Sequence, residues 1–493
     1  MLKRQAGILL PVSSLPGQFG IGDFGPKAYR FVDFLQRAGQ SYWEILPLLI
    51  SDRFGSPFAS VSAMAVNWLM VSPELLVKEG LLKRTDLPAA EPVRSIYYRR
   101  VEKNRSRLLG KAWECLKANP RSRHWKELRA FQRRKRHWLD DYCLYQAIKR
   151  KEHNLPWFSW PVRFQNRNAA ALQQFVHEHD GILAYFSFEQ WIAHKQWQDL
   201  KTYANRRGIK IIGSVPFYVT HDSVDVWAHR DLFQMSKTGK LQAVAGVPPD
   251  HFNQLGQRWG NPLYDWQALR RTKFAWTLER FSQALRLYDL IILDHFRGYR
   301  AYWQIPASSP HARRGRWIRV PSERLFSLLK RQYKSLPIIA EDLGVITPAV
   351  HTLREHFKIP GFRVLQRSLQ LRLPAMTNPP AYPENAVVFT GTYDMPTLRG
   401  WFNVRPKELQ DAVLRHLHTD VEYLSWNGAE AAMHSPSALC IVQLQDYLGL
   451  DDHARINRPG TVGTSWMWRM EDAFLTPKLS RSIQELTKKV KRL

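Results

Sequence analysis

The sequence predicts an α/β fold: a parallel (β/α)8 TIM barrel with inserted subdomains, one of them helical. Eight short apolar runs of strand character alternate with stretches of helical periodicity along the 493-residue chain, which is the pattern of a parallel barrel. A doubly wound open sheet is the alternative for such a pattern. No glycine-rich dinucleotide fingerprint follows any of the runs, which favours the barrel.

The strand candidates are distributed over both ends of the chain. They lie at residues 7–12, 41–48, 209–219, 290–296, 337–344, 361–366, 386–394 and 438–446. Amphipathic helical spacing separates most of them, for example over 264–287 and 322–334. The loop after the first strand is rich in glycine and proline but lacks the lysine of a phosphate-binding loop.

Residues 74–205 differ in character from the rest of the chain. This stretch is helical in period, strongly basic and poor in strand-like runs. We therefore expect residues 1–73 to form the first part of the barrel and 74–205 a mainly helical insertion. Residues 206–493 would complete the barrel, with further insertions at its rim around 220–285 and 366–385.

Composition limits the class of protein. Hydrophobic residues make up 44% of the chain, enough for a substantial core. The formal charge of +29 would suit a polyanion, but the charge is diffuse and no nucleic-acid motif is present, so nucleic acid is not an expected partner.

The three cysteines, Cys115, Cys143 and Cys440, are far apart and form no disulfide framework. No apolar run reaches the ~18 residues that span a membrane, and no clear cleavage site follows the basic N-terminus. Together with the cysteine pattern, which indicates a reducing compartment, this predicts a cytoplasmic protein.

Three predicted strands end in carboxylates. The run from 290 ends at Asp294, the run from 337 at Glu341 and Asp342, and the run from 386 at Asp394. In a parallel barrel these strand ends meet at one mouth. Two carboxyl groups ~5–5.5 Å apart suit retaining glycosyl transfer, in which one attacks the sugar and the other protonates the leaving oxygen.

Strand-end acids can instead bind Mg²⁺ or Mn²⁺, which is the main chemical alternative. Aromatic residues near these ends favour a sugar, because a ring offers an apolar face to a ligand. The aromatic residues in question are Phe58, Trp259, Tyr264, Trp266, Tyr299, Tyr302, Trp303, Tyr393 and Trp401.

Long motifs in the same order along nearly the whole chain carry a family resemblance. They include GILLPVSSLPGQFGIGDFG (7–25), QSYWEILPL (40–48), VAGVPPDHF (244–252), GQRWGNPLYDW (256–266), LDHFRG (293–298), IAEDLGVITP (339–348), YPENAVVFTGTYD (382–394) and INRPGT (456–461). By these motifs the chain resembles amylomaltase, the bacterial 4-α-glucanotransferase or disproportionating enzyme of glycoside hydrolase family 77.

The resemblance implies transfer of α-1,4-glucan segments between maltooligosaccharides by a retaining double displacement. It implies Asp294 as nucleophile, Glu341 as general acid/base and Asp394 as transition-state stabiliser. It also implies a set of substrate-binding residues, with no metal and no cofactor. These are Phe58, Asp250, Gln257, Trp259, His295 and Tyr393.

The chain departs from the family pattern around its acids. Ile292 stands where the family has an arginine, two residues before Asp294 and therefore on the same face of the strand. Tyr393 stands where the family has histidine, and Met395 where it usually has asparagine. Phe58 lacks the hydroxyl of the family's tyrosine. These changes remove polar support from the predicted nucleophile and from the donor site.

Three interpretations follow. We favour an active, divergent 4-α-glucanotransferase, because all three acids are present. A catalytically impaired amylomaltase-like protein that binds glucan is the second interpretation. A glucan-associated scaffold whose basic helices contact a polyanion is the third. Arg297 and Arg363 are candidates to replace the missing charge, and Ile292→Arg should raise the rate if that charge is the main defect.

Overall fold

The computed structural model describes residues 3–90, 94–236, 238–249, 254–461 and 463–493. The strands in these ranges are, in chain order, β1 (Gln5–Leu9), β2 (Tyr42–Glu44), β3 (Lys210–Val215), β4 (Ala243–Val247), β5 (Gln257–Pro262), β6 (Leu290–Leu293), β7 (Ala301–Pro306), β8 (Arg316–Arg319), β9 (Ile338–Ala340), β10 (Gly361–Val364), β11 (Ala386–Phe389) and β12 (Leu439–Gln443).

The α-helices of the same ranges alternate with the strands in the second half of the chain and dominate the first half. In chain order they are α1 (Pro26–Arg37), α2 (Pro73–Lys78), α3 (Tyr98–Lys117), α4 (Arg123–Lys151), α5 (Val162–Gln165), α6 (Ala169–Glu178), α7 (Asp180–Arg206), α8 (Val224–Ala228), α9 (Trp266–Arg271), α10 (Ala275–Leu287), α11 (Ser322–Gln332), α12 (Pro348–His356), α13 (Leu365–Leu371), α14 (Leu398–Asn403), α15 (Lys407–Leu417), α16 (Leu424–His434), α17 (Leu444–Tyr447) and α18 (Pro477–Lys489).

Eight parallel strands close into a barrel in the order β1-β2-β3-β6-β9-β10-β11-β12. Each barrel strand overlaps one of the eight predicted runs, so the predicted fold class is confirmed. These runs are continuously apolar because a parallel strand is buried on both faces. In β6, Ile291 and Leu293 face the surrounding helices, whereas Ile292 packs inside the barrel. The alternation then places Asp294 on the inner side at the mouth.

The region between residues 74 and 205 is helical wherever the structure describes regular elements. Its two longest helices, α4 and α7, pack against each other, and α7 also packs on α1 and β3. The predicted division of the chain at residues 73 and 205 stays a prediction. None of the helices in the described ranges combines the length and apolarity needed to cross a membrane.

A second, antiparallel sheet lies outside the barrel with strand order β5-β4-β7-β8. None of these strands is among those predicted from the sequence. Both β5 and β8 are largely exposed and carry arginine, so they lack the apolar alternation that marks a half-buried strand. Trp303, one of the aromatic residues expected near the strand ends, lies in β7. This sheet contributes β5 to one wall of the cleft described next.

Candidate active site

The three predicted acids come together in one cleft of about 360 Å³ at the mouth of the barrel. Asp294 follows β6, Glu341 follows β9, and Asp394 lies in the turn after β11. Five of the six predicted substrate-binding residues line the same cleft. The full lining is Ser56, Phe58, Pro216, Tyr218, Gln257, Trp259, Asn261, Asp294, His295, Glu341, Leu343, Tyr393, Asp394, Asn457 and Trp466. The sixth residue, Asp250, lies outside the described residues.

Glu341 and Asp294 share a hydrogen bond at the ends of neighbouring strands. Burial, the charge of Asp294 and this bond raise the pKa of Glu341 well above its ordinary value. Burial also raises the pKa of Asp294, but hydrogen bonds from Glu341, Tyr393 and the Phe217 backbone oppose that rise. The proton therefore resides on Glu341. Such direct contact is closer than the ~6.5–9.5 Å between the carboxyl groups of inverting glycosidases.

Backbone geometry fixes Glu341 in this pair. The N–H of His295 donates to Glu341 Oε2 at 3.0 Å. His295 has a φ of 49°, in the left-handed region that few residues other than glycine adopt. This conformation sets the direction of the chain as it leaves β6. The turn after the nucleophile strand therefore helps to position the second acid.

Asp394 is held from the loop that contains Asn457. Asn457 Nδ2 donates to Asp394 Oδ1 at 2.6 Å, and Arg455 Nη2 donates to the Asp394 carbonyl at 2.6 Å. Burial raises the pKa of Asp394 to about 6, against the lowering effect of Asn457. Asn457 is not among the predicted site residues, although it lies within the INRPGT motif.

Tyr393 takes a position between the nucleophile and the aromatic wall. Its Oη donates to Asp294 Oδ1 at 3.1 Å. Its ring stacks on Phe58 with a centroid distance of 5.0 Å and an interplanar angle of 15°, and Trp466 packs tilted against both rings. Burial and the nearby Asp294 charge raise the pKa of Tyr393 well above its ordinary value, so the phenol remains a donor.

An apolar side chain, Ile292, occupies the position of the family's arginine. Ile292 is 5% exposed and lies in a barrel-interior cluster with Ile212 and Ile339. Tyr393 and Met395, two further departures from the family pattern, pack against the same cluster. The three departures are therefore neighbours in space.

Neither sequence-predicted replacement for the missing charge approaches Asp294. The guanidinium of Arg297 stacks over Trp317, 3.7 Å from the ring centroid, and donates to the Val345 carbonyl at 2.6 Å. Arg363 donates to the Phe362 carbonyl at 2.5 Å. The expectation for both residues was wrong, because strand position alone does not fix the direction of a long side chain.

The opposite wall of the cleft comes from β5 and His295. Trp259 is 39% exposed, and its Nε1 donates to Gln257 Oε1 at 3.0 Å. The Trp259 ring meets His295 edge to face at a centroid distance of 5.0 Å. Burial and Arg297 lower the pKa of His295 to about 4, so the imidazole is neutral at pH 7. This wall offers an open aromatic face and neutral hydrogen-bonding groups, which suit an uncharged sugar.

Comparison with known proteins identifies the family. A family model described as 4-alpha-glucanotransferase, glycoside hydrolase family 77, matches residues 10–476. The chain belongs to this family. The 4-alpha-glucanotransferase of Streptococcus pneumoniae serotype 4 is 38% identical, covering 99% of this chain and 97% of that one. The Synechocystis and Thermus thermophilus 4-alpha-glucanotransferases are 39% and 36% identical, covering 98% and 100% of the chain and 97% and 100% of their own lengths.

Solved structures agree with the family assignment. The amylomaltase from Streptococcus agalactiae in complex with acarbose superposes with a TM-score of 0.95 at 32% identity, covering 99% of this chain and 100% of that one. The structure of amylomaltase from Corynebacterium glutamicum shares the fold, with a TM-score of 0.73 at 18% identity, over 99% of this chain and 75% of that one. Family membership makes this chain a 4-α-glucanotransferase and favours the enzyme over the impaired binding protein.

Proposed function

We propose that the chain transfers α-1,4-glucan segments between maltooligosaccharides in the cytoplasm, with Asp294 as nucleophile, Glu341 as general acid/base and Asp394 as stabiliser. The observation that carries these roles is the hydrogen bond between Glu341 and Asp294. It joins one protonated and one ionised carboxyl group at adjacent strand ends. A retaining mechanism requires this unequal pair, an acid beside a nucleophile.

In the first step, an Asp294 oxygen attacks the anomeric carbon of the donor sugar. The bond from that carbon to the glycosidic oxygen breaks, and Glu341 transfers its proton to the departing oxygen. The shortened glucan leaves with a new hydroxyl group. The other glucan segment is now an ester of Asp294.

In the second step, the 4-hydroxyl of an acceptor glucan attacks the same carbon. Glu341, now a carboxylate, removes the hydroxyl proton, and the ester bond to Asp294 breaks. Esterification removes the charge of Asp294, which had helped to raise the pKa of Glu341. Both acids return to their starting protonation states at the end of the cycle.

The remaining cleft residues bind and orient sugar in this proposal. Asp394, directed by Asn457, accepts hydrogen bonds from hydroxyls of the sugar undergoing attack, which strengthen as its ring distorts. Phe58 and Tyr393 form one aromatic wall at the donor side. Gln257, Trp259 and His295 form the opposite wall, and we propose that they bind the acceptor. A sugar held there would capture the intermediate before water does.

Product analysis with maltotriose tests the proposal. The wild-type protein should release glucose and form longer oligomers, whereas Asp294→Asn should lose at least ~10⁴-fold in rate, as for loss of a covalent nucleophile. Asp472→Asn, at a surface ion pair with Lys27, is the control and should match wild type. A folded wild type that binds glucan and yields no ladder would refute the proposal and support the impaired binding protein. Salt-sensitive retention on heparin, without transfer, would support the polyanion scaffold.

A further inference from the structure

A buried arginine from another element acts on the carboxylate of Asp294. Arg280 lies in α10, is 5% exposed, and its charge lowers the pKa of Asp294 against the larger raising effect of burial. It approaches from behind the wall of the cleft. The strand of Asp294 itself offers only Ile292 two residues earlier. Positive charge therefore reaches the nucleophile from outside the barrel interior.

The Arg280 guanidinium is clamped to the chain that follows β3. Its Nη2 donates to the carbonyl oxygen of Pro216, and its Nη1 donates to the carbonyl oxygen of Phe217 at 3.2 Å. Tyr264 completes the clamp. Its Oη donates to the Phe217 oxygen at 2.8 Å and accepts from Arg280 Nη1 at 3.3 Å. Two consecutive carbonyl groups are thereby fixed in position.

One peptide group connects this clamp to the nucleophile. The Pro216 carbonyl and the Phe217 N–H belong to the same planar amide. The Asp294 N–H donates to the carbonyl of Val215, the residue before Pro216, at 3.2 Å, and a backbone hydrogen bond from Phe217 is among the interactions that lower the pKa of the Asp294 carboxyl. A cation on the carbonyl oxygen draws electron density through the amide, so its N–H becomes a stronger donor. Arg280 thus both aims and strengthens a hydrogen bond to Asp294.

Arg280 acts without reaching the substrate space. Pro216 and Tyr218 line the cleft on this side, whereas Arg280 packs behind them, with Cζ 5.7 Å from the Trp276 ring centroid. Asp225 in α8 is the second buried carboxylate that Arg280 stabilises, since burial raises the pKa of Asp225 and Arg280 lowers it. The guanidinium is therefore shared between a structural acid and the nucleophile.

We infer that Arg280 is a positioning residue for the nucleophile. It holds the Pro216–Phe217 peptide so that the N–H donates to Asp294, and it supplies from α10 the positive charge that Ile292 cannot supply from β6. The inference rests on the proposed role of Asp294. It gives this chain a route to an ionised nucleophile that does not depend on an arginine inside the barrel.

Three variants test the inference. Arg280→Met removes the charge but keeps an apolar stem, and Arg280→Lys keeps the charge but lacks the rigid planar fork that fixes the two carbonyls relative to each other. Arg286→Met, at a half-exposed position of the same helix, is the control. We expect Arg280→Met to lower kcat on maltotriose ~10²-fold, as for loss of a preorganised group, with KM within about threefold. Arg280→Lys should lose about tenfold, and Arg286→Met should match wild type.

Titration of Asp294 gives a second readout that does not require turnover. Five side chains interact electrostatically with Asp294. Glu341 and Tyr393 form hydrogen bonds with it, and Arg280 acts on it by charge. The charge of Asp294 in turn raises the pKa values of Asp394 and Tyr299. Removal of Arg280 leaves the others in place. In protein labelled with ¹³C at aspartate carboxyls, the Asp294 resonance is the one that is absent from the Asp294→Asn variant. In Arg280→Met this resonance should titrate at a higher pH than in wild type.

Folding is checked by circular dichroism, and each result has a defined meaning. A folded Arg280→Met with wild-type kcat, or with an unshifted Asp294 titration, overturns the inference, as does an equal loss in Arg286→Met. If Arg280→Met does not fold, wild-type kcat and Asp294 titration in Arg280→Lys overturn it. A wild-type protein without transfer refutes the proposed function, and the carboxyl titration then decides the role of Arg280 alone.

Discussion

The hydroxyl of Tyr393 donates a 3.1 Å hydrogen bond to the carboxylate of Asp294. By the motif resemblance, this tyrosine stands at a histidine position of the family and Ile292 at an arginine position. The tyrosine reaches the nucleophile from the loop after β11, whereas the arginine would reach it from β6. The nucleophile is thus contacted by a neutral hydrogen-bond donor, and its own strand, β6, provides no cation.

The first prediction concerns this contact. Tyr393→Phe removes the hydroxyl and keeps the ring that stacks on Phe58. We expect kcat on maltotriose to fall ~10–10²-fold, less than for a full oxyanion-hole donor because the Phe217 bond remains. Initial rates of glucose release measure it. Phe58→Leu, which disturbs the stack but leaves the hydroxyl, is the companion variant and should act mainly on KM. Unchanged kcat in Tyr393→Phe would show that the hydroxyl is dispensable.

The second prediction concerns position 292 and revises the expectation from sequence. Ile292→Arg places a guanidinium among the apolar side chains of the barrel interior. The longer side chain must displace the packed neighbours Ile212 and Ile339, and overpacking of this kind costs about 1–3 kcal/mol of unfolding free energy, so activity should fall rather than rise. The triple variant Ile292→Arg/Tyr393→His/Met395→Asn introduces the family's residues at all three neighbouring positions. It should recover part of the activity lost in the single variant.

Denaturant unfolding and initial rates measure both effects at position 292. Ile292→Val is the control and should cost about 0.5–1.5 kcal/mol with near-normal kcat. A single Ile292→Arg variant with a higher rate than wild type would mean that the missing guanidinium limits the enzyme after all.

The third prediction is the acidic limb of the activity profile. Asp394 must be ionised to stabilise the transition state, and burial raises its pKa to about 6. The rate should therefore halve near pH 6 on acidification. Asn457→Ala removes a bond that lowers this pKa and should move the limb to higher pH. Rates from pH 4.5 to 8 provide the measurement. A limb that stays fixed in Asn457→Ala would assign it to another group.

The fourth prediction is a gain of stability on removing the same charge. In the folded state the pKa of Asp394 is raised from its ordinary 3.8 to about 6, so ionisation disfavours folding as the pH rises through that interval. Asp394→Asn should be inactive but more stable at pH 7, by about 3 kcal/mol. The gain should be largely lost at pH 4, close to the ordinary pKa of 3.8. Urea unfolding at both pH values tests this, and a gain of equal size at pH 4 would rule out the electrostatic cause.

The barrel was predictable because its signal is local in the chain. Runs such as Leu290–Leu293 are apolar on both faces, and only a buried parallel strand requires that. The exposed strand Arg316–Arg319 gives no such signal, and its pairing with β7 depends on contacts across the fold. The second sheet was therefore missed for a physical reason.

The candidate site was also predictable only in part. The acids at strand ends could be located from the apolar runs that precede them. The hydrogen-bond partners of Asp294 could not be predicted, because the direction of a side chain in a loop is set by its neighbours in space. Tyr393 turns inward against Phe58, whereas Arg297 turns outward onto Trp317. Nothing in the sequence spacing distinguishes these two outcomes.

The antiparallel sheet has a consequence for recombination between relatives. Strand β5, which carries Gln257 and Trp259, is hydrogen-bonded to β4, and β4 to β7, the strand that follows the nucleophile turn. The wall opposite Phe58 and the chain around Asp294 thus belong to one hydrogen-bonded sheet. A chimera that exchanges residues 243–319 as a single cassette keeps all strands of this sheet from one parent, whereas a crossover between β5 and β7 would combine strands from two parents in one sheet.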